Sequence, residues 1–90
     1  MKMAKDLGYT ALSFRDSKLA TDAGWVDCVF THKITDYIIF AELKTETGEI
    51  RDNQLRYNRA LLNLTDAVYI WRPRNLADGT IEYAFMRGVR

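Results

Sequence analysis

The chain has little of several things: one cysteine, one proline and one histidine among 90 residues, and a net charge of only +1. The single Cys28 cannot form an internal disulfide, and without a second cysteine there is no zinc-binding CxxC motif. No apolar run reaches the roughly 18 to 20 residues of a membrane span, and the first residues lack the apolar core of a secretory signal. We therefore expect one cytoplasmic domain, covering residues 1–90, without a membrane partner.

What the chain does contain is a succession of short periodic elements. β-Branched and aromatic runs indicate strands, whereas apolar residues at helical spacing after Asp52 indicate a helix that this residue would cap. The segment TIEYAF fits either a helix capped by Thr80 or an alternating strand, and the helix is preferred. The predicted elements are a helix at 2–7 closed by Gly8, strands at 9–14, 25–31 and 37–44, a helix at 52–64, a strand at 67–71 and a final helix. This α-β-β-β-α-β-α order predicts an α/β fold with a mixed four-stranded sheet flanked by helices.

Glu42 and Lys44 end an otherwise apolar strand, where the desolvation of each charge costs several kcal/mol. If the hairpin is symmetric about its HKITD connection, Asp27 lies opposite Glu42, with Cβ atoms about 4.5 to 5.5 Å apart. Two carboxylates that close repel each other unless a cation lies between them, and oxygen ligands favour Mg²⁺ or Mn²⁺. Lys44, on the same face as Glu42, would then orient a water or stabilise charge on a phosphoryl oxygen.

The same residues have an ordinary structural interpretation. Glu-x-Lys is a common tripeptide at strand ends, and Asp27, Glu42 and Lys44 can instead form an ion-pair network at the edge of the sheet. The opposed aspartate and the apolar surroundings favour the metal site, which depends on the assumed hairpin register. His32, in the predicted hairpin turn, is interpreted as a solvated side chain rather than a ligand.

Three motifs in order, GWVD, FAELKTETGEIRDNQ and VYIWRP, together resemble the VRR-NUC (virus-type replication-repair nuclease) branch of the PD-(D/E)xK nuclease superfamily. The resemblance extends from Gly8 to Pro73 and includes the polar RDSK stretch before the aspartate. It implies a restriction-endonuclease-like core and hydrolysis of DNA phosphodiester bonds with Mg²⁺ or Mn²⁺. It also implies a homodimer, active in a bacterial or phage-infected cell, that cuts branched DNA such as four-way (Holliday) junctions.

By position in these motifs, the resemblance implies a role for each polar residue near the strand end. Asp27, Glu42 and the backbone carbonyl of Leu43 correspond to metal ligands. Lys44 corresponds to the catalytic lysine, and Gln54 to the helical residue that supports the site. The alternatives are a flap, nicking or restriction-type nuclease with the same site, or a catalytically silent DNA-binding or assembly subunit.

Two positions depart from the family pattern. Val26 stands where a proline is usual, which leaves the following aspartate in place. Many members also have a glutamate on the first helix that completes the metal site. This chain has only Asp6 on that helix, and Asp16 on the following loop is another possible substitute. The number of metal ions bound, and whether the chain is active, depend on this difference.

The net charge neither requires nor excludes a polyanionic partner, so any DNA contact must come from local positive patches. Arg51 and Lys18, on loops beside the proposed site, are the leading phosphate contacts. Ser17 and Arg56 are further candidate DNA-binding residues. Other arginines that can contact phosphate are Arg59, Arg72 and Arg74.

The remaining large and basic side chains have structural interpretations. Tyr57 and Trp71 are expected to be core or interface aromatics, and Arg87 and Arg90 to form a basic tail. The homodimer interface is expected to cover the apolar ends of the first or the last strand.

Overall fold

The computed structural model describes residues 2–13 and 25–89, which form a sheet with helices on both faces. The elements are α1 (Lys2–Asp6), β1 (Tyr9–Ser13), β2 (Cys28–His32), β3 (Ile38–Leu43), α2 (Asp52–Leu62), β4 (Val68–Trp71), α3 (Pro73–Ala77) and α4 (Thr80–Met86). The predicted α/β class, with a mixed four-stranded sheet flanked by helices, is confirmed. No helix in the described part of the chain is long and apolar enough to cross a membrane.

The sheet has the order β1-β2-β3-β4, and only its last pair is parallel. Helix α2 crosses over between β3 and β4, which is the connection that a parallel pair requires. Strands β2 and β3 pair Cys28 with Ala41 and Thr31 with Ile38. This is the register of the symmetric hairpin, so that assumption is confirmed for the paired residues. Strand β2 begins at Cys28, later than predicted, and Cys28 pairs with Ser13 of β1 and Ala41 of β3.

The apolar core lies between the sheet and α4. Ile81, Ala84 and Phe85 of α4 are all buried, which is the i, i+3, i+4 pattern of one helix face and decides for the helix over the alternating strand. The Phe85 ring lies 4.9 Å from Tyr9 and 5.4 Å from Trp71, centroid to centroid. The Tyr9 hydroxyl also donates a hydrogen bond to the Phe85 carbonyl at 2.6 Å, and burial raises the pKa of that hydroxyl.

The opposite face of the sheet is covered by α2. Alternation along β3 places Ile39 and Ala41 in the core, so Phe40 and Glu42 point to the other face. There the ring of Trp25 contacts Phe40 and Tyr57 of α2, with centroid distances of 6.4 Å and 5.6 Å. The proposed site residues therefore belong to the α2 face and not to the main core.

Helix α3 and the exact helix starts differ from the prediction. Pro73 ends the β4 segment as expected, but it also occupies the first turn of α3, where its fixed φ favours a helix. Asp52 and Thr80 are the first residues of their helices, and the N-cap positions belong to Arg51 and Gly79. Both predicted caps are thus wrong by one residue.

His32 is not the solvated turn residue that the sequence suggested. It is 6% exposed, and its Nδ1 accepts hydrogen bonds from the backbone N–H groups of Ile34 and Thr35 at 3.1 and 3.2 Å. Its Nε2 must then carry the proton, which it donates to the carbonyl of Leu7 at 2.9 Å. Gly8 has φ +93°, and a Cβ there would lie 2.8 Å from Nε2, so a glycine is needed beside the ring.

Arg87 is likewise not part of a free tail. Its guanidinium lies 3.0 Å from the carboxylate of Asp66 and 3.1 Å from the hydroxyl of Tyr69. These hydrogen bonds, first the one to Asp66, raise the pKa of Arg87 above its usual value. Arg90 lies outside the described residues. Trp71 is 2% exposed, as expected for a core aromatic.

Candidate functional site

Four of the predicted site residues meet at one end of β3, on the α2 face. Asp27 directly precedes β2, Glu42 lies in β3, and Lys44 follows the last residue of that strand. Gln54 lies in the first turn of α2, which begins after the loop 44–51. The observed β2–β3 register, extended by one residue, places Asp27 opposite Glu42.

Asp27 is fixed by the backbone of the neighbouring strand. Its Oδ2 accepts a hydrogen bond from the N–H of Leu43 at 2.8 Å. Lys44 donates its own N–H to the carbonyl of Trp71 on β4, so alternation directs the Leu43 N–H to the β2 side. In an antiparallel pair the N–H and C=O of one residue face the same neighbour, so the Leu43 carbonyl also points to the side of Asp27. The Leu43 carbonyl and the Asp27 carboxylate therefore lie on the same side of β3.

Glu42 is a carboxylate in an almost fully buried position, with 3% of its surface exposed. Its Oε2 accepts a hydrogen bond from Nε2 of Gln54 at 2.7 Å and lies 4.0 Å from Nζ of Lys44. The side chain of Lys44 is itself only 14% exposed. Burial of a carboxylate costs several kcal/mol unless hydrogen bonds and a nearby positive charge offset it. A buried anion and cation at the end of a strand are therefore maintained against a desolvation cost.

Gln54 connects the start of α2 to the site through both ends of its amide. Its Oε1 accepts a hydrogen bond from the N–H of Arg51 at 3.0 Å, while Nε2 donates to Glu42. The two partners fix the orientation of the amide, since an N–H needs the oxygen and a carboxylate needs the nitrogen. These two contacts are compatible with a purely structural role for Gln54 and with the supporting role at the site that the family resemblance implies.

Replacing Gln54 by alanine is expected to lower the free energy of unfolding by about 1–3 kcal/mol, because Glu42 stays buried without its amide donor and the helix start loses an acceptor. Denaturant unfolding measures this loss. Arg56→Ala, two residues further along the same helix at an exposed position, is the matched control. A Gln54→Ala loss no larger than that of the control would contradict the account of Glu42.

A solvent-open cleft of about 460 Å³ lies beside these residues. Arg51 borders it, as predicted for a phosphate contact, whereas Arg56 is exposed on α2 beyond the described lining. The sequence did not identify Thr45 and Glu49 as residues of the cleft. The only feature that marks them is their position on the loop between Lys44 and Arg51. The cleft is lined by Leu43, Lys44, Thr45, Gly48, Glu49 and Arg51. The predicted contacts Ser17 and Lys18, and the substitute Asp16, lie outside the described residues.

Asp6 does not reach this site. It forms an ion pair with Lys2 at 3.0 Å on α1, which leads into β1 at Tyr9. Tyr9 pairs with His32, at the opposite end of β2 from Asp27. At about 3.3 Å per strand residue, the five residue steps from Asp27 to His32 span roughly 17 Å. The helical aspartate therefore cannot replace the glutamate that many members of the similar family have on their first helix.

The donor set at the strand end fits a hard cation better than zinc. Within residues 2–13 and 25–89, no group of three or more His, Cys, Asp or Glu side chains could hold a metal ion. The available oxygens are the carboxylates of Asp27 and Glu42 and the carbonyl of Leu43. Mg²⁺ is commonly bound by one or two carboxylates with water completing the octahedron, so this set suits Mg²⁺ or Mn²⁺.

Comparison with known proteins adds no relative: no family model, curated protein or solved structure matches the chain. Any functional assignment therefore depends on the geometry of the site and on the motifs themselves.

Proposed function

We propose that the chain is a Mg²⁺- or Mn²⁺-dependent endonuclease that hydrolyses DNA phosphodiester bonds, of the PD-(D/E)xK type that its motifs resemble. The proposal is supported chiefly by the β2–β3 register, which puts Asp27 opposite Glu42 when it is extended by one residue past the Cys28–Ala41 pair, and by Lys44 Nζ at 4.0 Å from the Glu42 carboxylate. Two acids and one lysine at a strand end, next to an open cleft, form an arrangement that can act on a phosphate.

Each residue has a chemical role in this proposal. Asp27, Glu42 and the Leu43 carbonyl hold the cation, which when bound lowers the pKa of water and neutralises charge on phosphoryl oxygens. Lys44 places its ammonium group where charge develops on the phosphoryl oxygen during attack by water. Gln54 keeps the Glu42 carboxylate in one orientation through its hydrogen bond.

Arg51 extends the same cleft with a second positive charge. It lies on the cleft wall together with Lys44, so a neighbouring phosphate of the same strand can bind there. Such contacts position the backbone without reading bases, and the sequence contains no recognisable helix-turn-helix or zinc-finger motif for reading them. We therefore propose that the enzyme selects DNA by shape, with branched substrates such as four-way junctions preferred.

A DNA cleavage panel tests this function. The chain is incubated with labelled four-way junction, flap, nicked, linear duplex and single-stranded DNA, with Mg²⁺, Mn²⁺ or a chelator. We expect cleavage only with the metals and fastest on the junction. Equal cleavage of linear duplex would instead support a restriction-type activity, and preference for a flap or a nick would support those nucleases.

Replacing Lys44 by alanine is expected to lower the cleavage rate by about 100-fold or more with little change in DNA affinity, because its charge acts mainly in the transition state. Single-turnover rates and binding titrations separate the two effects. Lys33→Ala, at an exposed position in the hairpin turn at the other end of β3, is the matched control. Equal rates for the two variants would remove Lys44 from the mechanism.

A catalytically silent subunit is the second candidate. It is favoured by the small donor set and by the hydrogen bonds that Asp27 and Glu42 already make within the protein. Calorimetric titration with Mn²⁺ discriminates between the two. Binding that Asp27→Asn abolishes supports the nuclease, and absent binding, or binding unchanged by Asp27→Asn, supports the silent subunit.

We also propose that the active form is a homodimer, because cleavage of both strands at a junction needs two sites related by symmetry. The edge strands β1 and β4 provide apolar surface for such an interface, including Leu12, which is 58% exposed. Light scattering should give twice the chain mass of 10.4 kDa, and a monomer at the concentrations used for cleavage would refute the dimer.

A further inference from the structure

Arg72 holds the loop that separates Lys44 from Arg51. Its Nη1 donates hydrogen bonds to the backbone carbonyls of Thr45 at 2.6 Å and Glu46 at 3.3 Å. A guanidinium donor makes these bonds stronger than bonds between neutral groups. Arg72 is thus directed to the backbone of the protein, whereas the sequence suggested a phosphate contact.

We call the two hydrogen bonds from Arg72 to the Thr45 and Glu46 carbonyls the Arg72 clamp. The backbone of Arg72 is itself fixed. The N–H of Arg72 donates to Oδ1 of Asn75 at 2.8 Å in the first turn of α3. Nearby, the N–H of Arg74 lies 3.4 Å from Oε1 of Glu46. The end of β4 and the start of α3 therefore contact the loop through a side chain and a backbone group.

The clamp begins where the sheet ends. The N–H of Lys44 donates to the carbonyl of Trp71 at 2.8 Å, after which the chain leaves the sheet. Arg72 binds the carbonyls of the two residues that follow Lys44, which are Thr45 and Glu46. Arg72 thus links β4 to the chain that leaves β3, beyond the last hydrogen bond between these strands. The linked residues directly follow Lys44.

We propose that Arg72 is a positioning residue that fixes loop 44–51 and with it the placement of Lys44 at the site. The effect of Arg72 on catalysis rests on the proposed nuclease function. The hydrogen bonds from Arg72 to the loop do not depend on that function. A loop released from β4 would let Lys44 sample other positions, which lowers turnover without removing any group that contacts DNA.

The two roles for Arg72 predict different measurements. A phosphate contact contributes to DNA affinity, and its loss reduces the slope of log affinity against log salt by about 1. A positioning residue leaves affinity and salt slope unchanged and lowers the turnover number, by about tenfold for a supporting contact of this kind.

The experiment compares Arg72→Ala and Arg72→Lys with the control Lys33→Ala, which removes an exposed positive charge in the hairpin turn at the other end of β3. Amide hydrogen exchange of residues 45–50 is measured without DNA or metal, and turnover and salt-dependent DNA affinity are measured separately. We expect exchange about tenfold faster and turnover about tenfold lower in Arg72→Ala, partial recovery in Arg72→Lys, and neither effect in the control.

Several results would overturn the proposal. Unchanged exchange in Arg72→Ala would show that the clamp does not hold the loop, and weakened affinity with a smaller salt slope would show a phosphate contact. The exchange measurement needs no activity. If the wild-type chain does not cleave DNA but Arg72→Ala still speeds amide exchange of the loop, the proposed nuclease function is refuted. The structural role of Arg72 in holding the loop is then still supported.

Discussion

Replacing Glu42 by glutamine is expected to abolish metal-dependent DNA cleavage, lowering the rate by roughly 1000-fold or more. Glutamine has nearly the same shape and keeps an oxygen that can accept the hydrogen bond from Gln54. The variant therefore keeps the shape of the side chain but removes one negative charge from the proposed ligand set, and with it the ion pair with Lys44 at 4.0 Å. Cleavage of the preferred DNA in Mg²⁺ and Mn²⁺, at saturating enzyme, measures the loss.

Stability measurements on the same variant distinguish a metal site from a structural ion pair. If Glu42 is a metal ligand, the metal raises the unfolding midpoint of the wild type but not of Glu42→Gln, since a ligand that binds only the folded state stabilises it. The metal-free variant no longer buries the Glu42 charge, but it leaves the Lys44 ammonium without its partner at 4.0 Å, so the decisive readout is the effect of the metal rather than the stability of the metal-free protein. Glu82→Gln, exposed on α4, serves as the control. A variant that is less stable, with no metal effect in either protein, would support the ion-pair network with Lys44.

Replacing Phe85 by alanine is expected to lower the free energy of unfolding by about 3–5 kcal/mol. The side chain is fully buried, and its ring contacts those of Tyr9, Phe30 and Trp71 from three strands. Its loss would leave a cavity between α4 and the sheet. Since small domains have only about 5–15 kcal/mol of stability, a large share of it depends on this one ring. Denaturant unfolding measures the change.

Tyr83→Ala tests whether that loss is specific to the buried face of α4. Tyr83 is on the same helix but 71% exposed, so its replacement should change stability by about 0.5 kcal/mol or less. Similar losses for the two variants would mean that helix propensity, rather than burial of Phe85, accounts for the effect. Because the core and the site lie on opposite faces of the sheet, metal binding by the folded fraction of Phe85→Ala should remain intact.

The register of the hairpin was accessible from sequence because one short connection joins two apolar strands. A symmetric pairing puts the apolar positions of both strands on common faces, and a shift by one residue would expose them. The observed pairs, from Cys28 with Ala41 to Thr31 with Ile38, follow that rule. The opposition of Asp27 and Glu42 followed from the same reasoning.

The contacts of His32, Arg72 and Arg87 were not accessible in this way. Each is a polar side chain with a partner more than 15 residues away, just after α1, on loop 44–51 or beside β4. Sequence patterns report which face of an element is apolar, but they do not report which distant backbone carbonyl or carboxylate a long side chain will meet. Helix α3 was missed for a related reason, since five residues are too few to show a helical period.

The sequence by itself determined the α/β class, the strand pairing of the hairpin, and the helix between β3 and β4. Local periodicity and short connections are sufficient for these, because they depend on neighbouring residues. Only the tertiary structure decided that Asp6 lies far from the carboxylates, that Gln54 bonds both Glu42 and the helix start, and that Arg72 binds the loop of Lys44. Those outcomes depend on how the sheet brings separate segments together in space, which no local pattern specifies.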